Sequence, residues 1–387
     1  MFYYYFYIIL IKDCEVTFVL NLNFRLTPVK KKKEKPIPYD DIDQFKRRSK
    51  ILNLNIHRTI GSEQATDRFT SFLPDPNYKK AFDLKKELLD KHEGDKFEDV
   101  LRGETIVNEL GECFKIETHE RVQLGNCGEN QCDQKILSNL KLVYGIGPYY
   151  ECQLQTEGFT TIPDLLDYPH WCKPAEQFLE LFKKGDVALL HEWMWKYYPK
   201  SHPILYQTSA FFNPEEFVIF DIETMGLFEA AIILFGVARQ NEDEVEITQF
   251  LLKDISNEPS ALLETYKELG KSKALISYNG RSFDLPHFQD RLAFYGLHSF
   301  QELPHFDLLH YSRRLWRDQV ENCKLGTIES HIGIKRDMDL PSSLVPLFYE
   351  SYLDTNNPGP LIPIIEHNRH DLITLVSLFN KIHEEWS

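Results

Sequence analysis

The feature that most constrains this chain is a short apolar run, Phe217-Val-Ile-Phe220, that ends abruptly in Asp221-Ile-Glu223-Thr224. Four consecutive large apolar residues predict a strand covered on both faces, as at the centre of an α/β sheet. Side chains alternate along a strand, so Asp221 and Glu223 share one side of it. Two adjacent carboxylates repel unless a cation sits between them, which makes the pair costly alone and natural with Mg²⁺ or Mn²⁺. Asp-x-Glu also arises by chance in a chain with 59 acidic residues, and a solvated loop is the plain alternative. Its position, directly after an apolar strand, is where α/β sheets present ligands.

Two more apolar runs, 230–238 and 245–252, flank the acidic turn Gln240-Asn-Glu-Asp-Glu244 and complete a three-strand meander. A helix from about Ser260 to Leu269 leads to a fourth run, Ala274 to Tyr278, and then to Asn279-Gly280-Arg-Ser-Phe283-Asp284. Gly280 allows a sharp turn from strand to helix, which places Asp284 in the first helical turn. There it is either a capping carboxylate or a partner of Asp221 and Glu223. Ile364 to Phe379 has the apolar spacing of a helix with one buried stripe. His367 and Asp371, four apart, share a face of it. Alone they read as a surface pair; beside a metal site His367 becomes a candidate general base.

Together, Asp221-Ile-Glu223-Thr, Tyr-Asn279-Gly-Arg-Ser-Phe283-Asp284 and His367-Asn-Arg-His370-Asp371 resemble the three exonuclease motifs of the DEDD superfamily. The closer resemblance is to its YprB-like, ribonuclease H-like branch. Phe306-Asp307-Leu-Leu-His, Ser312-Arg-Arg-Leu-Trp316, Cys323-Lys-Leu-Gly-Thr-Ile-Glu329 and Ile332-Gly-Ile-Lys-Arg336 support it, and the likeness runs from about Phe217 to Phe379. The resemblance implies an α/β, ribonuclease H-like five-stranded mixed sheet flanked by helices, with three antiparallel strands followed by two parallel ones. It also implies two-metal hydrolysis of a phosphodiester from a 3′ end. Asp221 would bridge the two Mg²⁺ or Mn²⁺ ions, Glu223 and Asp371 would complete the first site, and Asp284 would hold the second. His367 would orient or deprotonate water, with His370 the other candidate. The four-residue register of His367 before Asp371 is that of the superfamily's tyrosine branch rather than its histidine branch.

The partners implied are DNA or RNA, single-stranded or offering a 3′ end. The net charge of −15 argues against a protein that coats nucleic acid through its overall field, whereas an acidic centre that recruits cations still acts on a polyanion. Arg313, Arg314 and Lys324 are the nearest cations to this region in sequence and read either as backbone contacts or as a salt-bridged helix surface. Asn279 sits in the second motif and joins them as a candidate contact. Trp316 reads as a base-stacking platform or as core. The competing class is a catalytically inactive ribonuclease H-like protein that binds nucleic acid or assembles with partners.

Upstream, residues 135–200 carry helical periodicity and are expected to form a small module. Within it Leu142-Val-Tyr-Gly145-Ile-Gly147-Pro resembles a helix-hairpin-helix motif, whose glycines would let helix amides face a phosphate; a packing hairpin is the alternative. Residues 61–134 read as a small mixed region with short strands between Gly103 and Thr118, and 1–60 as an N-terminal extension, leaving 210–387 for the nuclease-like domain. The opening MFYYYFYIILI is too short to span a bilayer, and the run Pro28 to Pro36 reads as a solvated linker. Seven scattered cysteines do not form a disulfide framework, so a reducing, cytoplasmic setting is expected; Cys127 and Cys132 are close enough for half of a zinc site or are ordinary thiols.

Overall fold

The computed structural model describes residues 76–125, 129–226, 230–336 and 340–386. The expectations for residues 1–60, the Pro28 to Pro36 run and Cys127 lie outside them. Seven strands form one sheet: β1 (Glu104–Asn108), β2 (Gly111–Glu120), β3 (Phe217–Thr224), β4 (Ile232–Asn241), β5 (Glu244–Leu251), β6 (Ala274–Ser277) and β7 (His305–Asp307), in the order β1-β2-β5-β4-β3-β6-β7. From β1 to β3 neighbours in the sheet are antiparallel; β3, β6 and β7 are parallel.

The expected five strands are β5-β4-β3-β6-β7, and the sheet is two strands wider than that expectation. The glycine-flanked strands placed in a separate 61–134 region belong to the same sheet, with Phe114 to Glu120 of β2 pairing Leu251 to Val245 of β5. Without β2, β5 would present a row of unpaired amides and carbonyls at the sheet edge.

Thirteen helices are described: α1 (Pro76–Lys91), α2 (Phe97–Val100), α3 (Glu129–Leu137), α4 (Pro148–Thr156), α5 (Cys172–Lys184), α6 (Val187–Met194), α7 (Pro203–Gln207), α8 (Glu258–Leu269), α9 (Asp284–Phe294), α10 (Leu308–Trp316), α11 (Leu325–Ile332), α12 (Val345–Thr355) and α13 (Leu361–Trp386). None is long and apolar enough to cross a membrane. Alternation along β3 sends Val218, Phe220 and Ile222 into one core with Phe288 and Leu292 of α9 and Phe348 of α12. Phe217 and Ile219 enter a second core with Leu375 and Phe379 of α13. Asp221 and Glu223 continue the second series, toward α13.

A buried polar knot ties the first layer together. Glu258, at the start of α8, accepts from Ile232 N at 2.9 Å, Arg291 Nε at 2.8 Å and the Tyr295 hydroxyl at 2.8 Å. Glu258 and Arg291 are almost wholly buried, so each charge depends on the other.

Residues 129–207 supply a third apolar core, built from residues such as Leu140, Ile162, Phe178 and Leu190. In the hairpin, Gly145 takes φ +90° and Gly147 caps α4, while the element before the turn is only a three-residue 3₁₀ helix, Leu140–Leu142. Lys141 pairs with Glu151 of α4 at 3.0 Å across it. The module is joined to the sheet by His191 of α6, whose ring meets Phe306 of β7 edge-on.

His191 is buried, and its Nε2 donates to Thr208 Oγ1 at 2.7 Å, since that hydroxyl donates in turn to Leu205 O at 2.6 Å. Burial, followed by the charge of Arg281, pushes its pKa down to about 3. In the unfolded chain it titrates near 6.5. The unfolded state therefore binds the extra proton between those values, and stability is complete above about pH 6.5 and falls as the pH drops below it. Urea unfolding at pH 7 and pH 5 is expected to show about 2 kcal/mol of stability lost through this residue. His191→Gln should remove that share of the pH dependence.

Candidate active site

Asp221, Glu223, Asp284, His367 and Asp371 converge where β3 ends. Glu223, Asp284 and His367 are buried, and Asp221 and Asp371 are half-buried. The loop that delivers Asp284 is tightly specified. Asn279 takes φ +65°, and a Cβ on Gly280 would lie 2.3 Å from Ser277 Oγ, so the strand turns into the helix only with glycine there. Asp307, at the end of β7, accepts from Asn279 N at 2.8 Å, Arg281 N at 3.1 Å and Leu309 N at 3.2 Å. One buried carboxylate thus holds the loop and caps α10. Asp284 opens α9 as expected, and its Oδ1 accepts from Ile222 N at 3.2 Å, on the residue between Asp221 and Glu223.

Asn368 is the first residue that the sequence reading missed. Its Nδ2 donates to Asp221 Oδ2 at 2.7 Å, and its Oδ1 accepts from the buried Gln249 Nε2 at 2.8 Å. It fits because Gly236 lies opposite Asp221 in β4 and Gln249 opposite Gly236 in β5. A Cβ on Gly236 would stand 2.1 Å from Asn368 Oδ1. The signal in the sequence was a lone glycine inside an otherwise apolar strand, which marks the close approach of another group.

Arg336 is the second. It donates to Asp371 Oδ1, to Glu329 Oε2 at 2.7 Å through Nε and Oε1 at 2.5 Å through Nη2, and to His367 Nδ1 at 3.3 Å. Glu329 is buried and also accepts from Thr374 Oγ1 at 2.5 Å. A guanidinium only donates, so His367 accepts at Nδ1 and in its neutral form carries its proton on Nε2. That Nε2 lies 3.2 Å from Ser342 Oγ, 3.9 Å from Glu223 Oε1 and 3.8 Å from Asp371 Oδ2. His370 stands by Glu366 instead, at 4.0 Å.

The electrostatics record the crowding. Burial, then the charges of Asp284, Asp371 and Glu223, raise the Asp221 carboxyl well above its ordinary range, against the hydrogen bond from Asn368. Burial, Asp371 and Asp284 do the same to Glu223, opposed by Arg336. Asp284 is pushed up to about 7, mainly by burial. An all-carboxylate donor set in which Asp221, Glu223 and Asp284 are hard to ionise suits a hard divalent cation, which reverses that cost. Among the described residues no group of three or more His, Cys, Asp or Glu side chains is arranged to hold a metal ion, and Asp371 is paired with Arg336.

The other sequence candidates stand apart from the acids. Arg313 and Arg314 are exposed on α10, and Lys324 is exposed at the N-cap of α11; among the described residues none of the three pairs with the acidic cluster. Trp316 is core. Cys113 and Cys132 are buried and Cys152 is exposed.

Gly236→Ala is expected to displace Asn368 and lower unfolding free energy by about 1–3 kcal/mol in urea melts. Combined with Asn368→Ala, the loss should be clearly smaller than the sum of the two single losses, because the clash and the hydrogen bond share one side chain.

Residues 218–383 match the RNase_H superfamily. The chain is 37% identical over 174 residues to protein YprB of Bacillus subtilis (strain 168), a stretch that covers 43% of this chain and 42% of that protein's length. Among solved structures it is similar to the family B DNA polymerase of the archaeon Pyrobaculum calidifontis, at 15% identity and a TM-score of 0.34, over 44% of this chain and 25% of the polymerase. The mixed sheet, the helices that flank it and the matched span give residues 218–383 a ribonuclease H-like fold.

Proposed function

We propose that this domain is a metal-dependent nuclease, a 3′–5′ exonuclease that works with two divalent cations, Mg²⁺ or Mn²⁺, on DNA or RNA in a reducing, cytoplasmic setting. The observation that carries the reading is the meeting of four carboxylates, from β3, α9 and α13, close enough that the pKa values of Asp221, Glu223 and Asp284 are raised. Asp221, Glu223, Asp284 and Asp371 would hold the ions. Bound there, divalent cations supply Lewis-acid stabilisation of phosphate oxygens and make water a better nucleophile.

The chain's own residues do the rest. Asn368 holds Asp221 in one orientation, and the Ile222 amide holds Asp284. His367 presents an Nε2 proton between Glu223 and Asp371, so it orients the attacking water by donating to it rather than by taking its proton at that nitrogen. Asn279, Arg313, Arg314 and Lys324, with the Gly145 and Gly147 turn of the module, are the candidate contacts to the nucleic-acid backbone. A second reading, an inactive nucleic-acid-binding or assembly protein, draws on the Arg336 pair, whose guanidinium supplies at Asp371 the positive charge a cation would bring.

Two measurements separate the readings. With 5′-labelled single-stranded DNA and RNA and Mn²⁺, the wild type should give a ladder shortening from the 3′ end, abolished by Asp221→Ala and reduced about 10²-fold or more by His367→Ala. Mn²⁺ should also raise the melting temperature of the wild type and leave that of Asp221→Ala unmoved. An intact substrate together with an unmoved melting temperature would leave the inactive reading standing.

A further inference from the structure

A cleft of about 540 Å³ opens between the helical module and the nuclease-like domain, with Trp195 and Lys200 on one wall and Arg281 and Gln289 on the other. Trp195, the C-cap of α6, is 36% exposed, an unusual state for tryptophan. Two cations lie against its ring: Lys200 Nζ at 4.4 Å from the centroid and the Arg281 guanidinium at 5.9 Å. Leu285, Pro286, Leu303 and Pro304 give the cleft an apolar floor, and the exposed Glu192 and Glu302 also line it. Arg281 lies three residues before Asp284, in the loop whose amides Asp307 holds, and its Nη2 donates to the His305 carbonyl.

We propose that this cleft binds single-stranded nucleic acid, one base stacking on Trp195 while the adjoining phosphate meets Lys200 and Arg281; the proposal deepens the nuclease reading and rests on it. The volume suits a nucleotide-sized occupant. An exposed aromatic ring with cations in reach is the combination that holds a base and its phosphate without reading sequence. A base on the ring displaces the Lys200 ammonium. That exchange is favourable, because stacking of a base on an aromatic face is stronger than an exposed cation–π contact. The freed ammonium then faces phosphate instead of the ring. In a chain of net charge −15, such binding is local to the cleft rather than a property of the overall field.

The test is fluorescence anisotropy of a fluorescein-labelled oligothymidylate with the full chain in EDTA, where no hydrolysis intervenes. Trp195→Ala is expected to weaken binding about 5- to 150-fold. Lys200→Glu should weaken it and lower the salt slope by about one. Lys196→Glu, an equal charge change on a lysine that lies over Trp193 instead, should leave binding as in the wild type. Wild-type affinity in a normally melting Trp195→Ala would overturn the cleft, as would equal losses from Lys196→Glu and Lys200→Glu, or no binding by the wild type. A wild type that binds the oligonucleotide in EDTA yet leaves it intact with Mn²⁺ would instead overturn the nuclease reading.

Discussion

Repulsion among Asp221, Glu223, Asp284 and Asp371 is the constraint to which the rest of the domain answers. Left in water, four carboxylates would separate; here two strand residues, one helix start and one helix middle are held within range of one another. Each is restrained by a donor of its own or by burial. Asn368 serves Asp221, the Ile222 amide serves Asp284, and Arg336 serves Asp371. A hydrogen bond to a charged group contributes about 1.5–3 kcal/mol, enough to hold an orientation but not to cancel the crowding. Glu223 has burial and the more distant Arg336 charge, which is why its carboxyl stays strongly raised.

Those restraints depend in turn on two places where a side chain is missing. Gly236 leaves the space that Asn368 fills, and Gly280 lets the loop close onto Ser277 before Asp284 begins its helix. Both lie beside the acids. Further out, Asp307 fixes the loop through its amides, and the buried Glu258, Arg291 and Tyr295 knot keeps α8 and α9 against β4. The arrangement has the order expected of a preorganised site: acids, then the groups that aim them, then the packing that holds those groups.

Much of this was legible before any coordinates. The strand ending in Asp221 and Glu223, the helix opening at Asp284 and the long closing helix all follow from local periodicity and turn chemistry, which are properties of neighbouring residues. What escaped was pairing across long separations. Nothing near Phe114 announces that it will pair with Leu251, and β7 is only three residues long, too short to show a period. Asn368 and Arg336 escaped for a related reason. Each stands inside a motif already credited to its neighbours, and its role is visible only once Gly236 or Glu329 is placed beside it. The tautomer of His367 likewise depends on Arg336, which lies 31 residues away.

The closing helix also works as a lever. Its first turns carry His367, Asn368 and Asp371, while its far end is gripped elsewhere: Tyr206 donates to the Phe379 carbonyl at 2.6 Å, Lys135 donates to the Trp386 carbonyl, and the Trp386 ring packs on Tyr206 and Tyr311. The arm from Asp371 to Trp386 is roughly 22 Å at the rise of an α-helix. Over that length a tilt of about one degree carries Asp371 through roughly 0.4 Å, close to the whole range over which an N–H···O hydrogen bond such as the one from Arg336 is allowed to vary. The module's hold on the end of this helix thus sets an angular tolerance on Asp371 near its beginning.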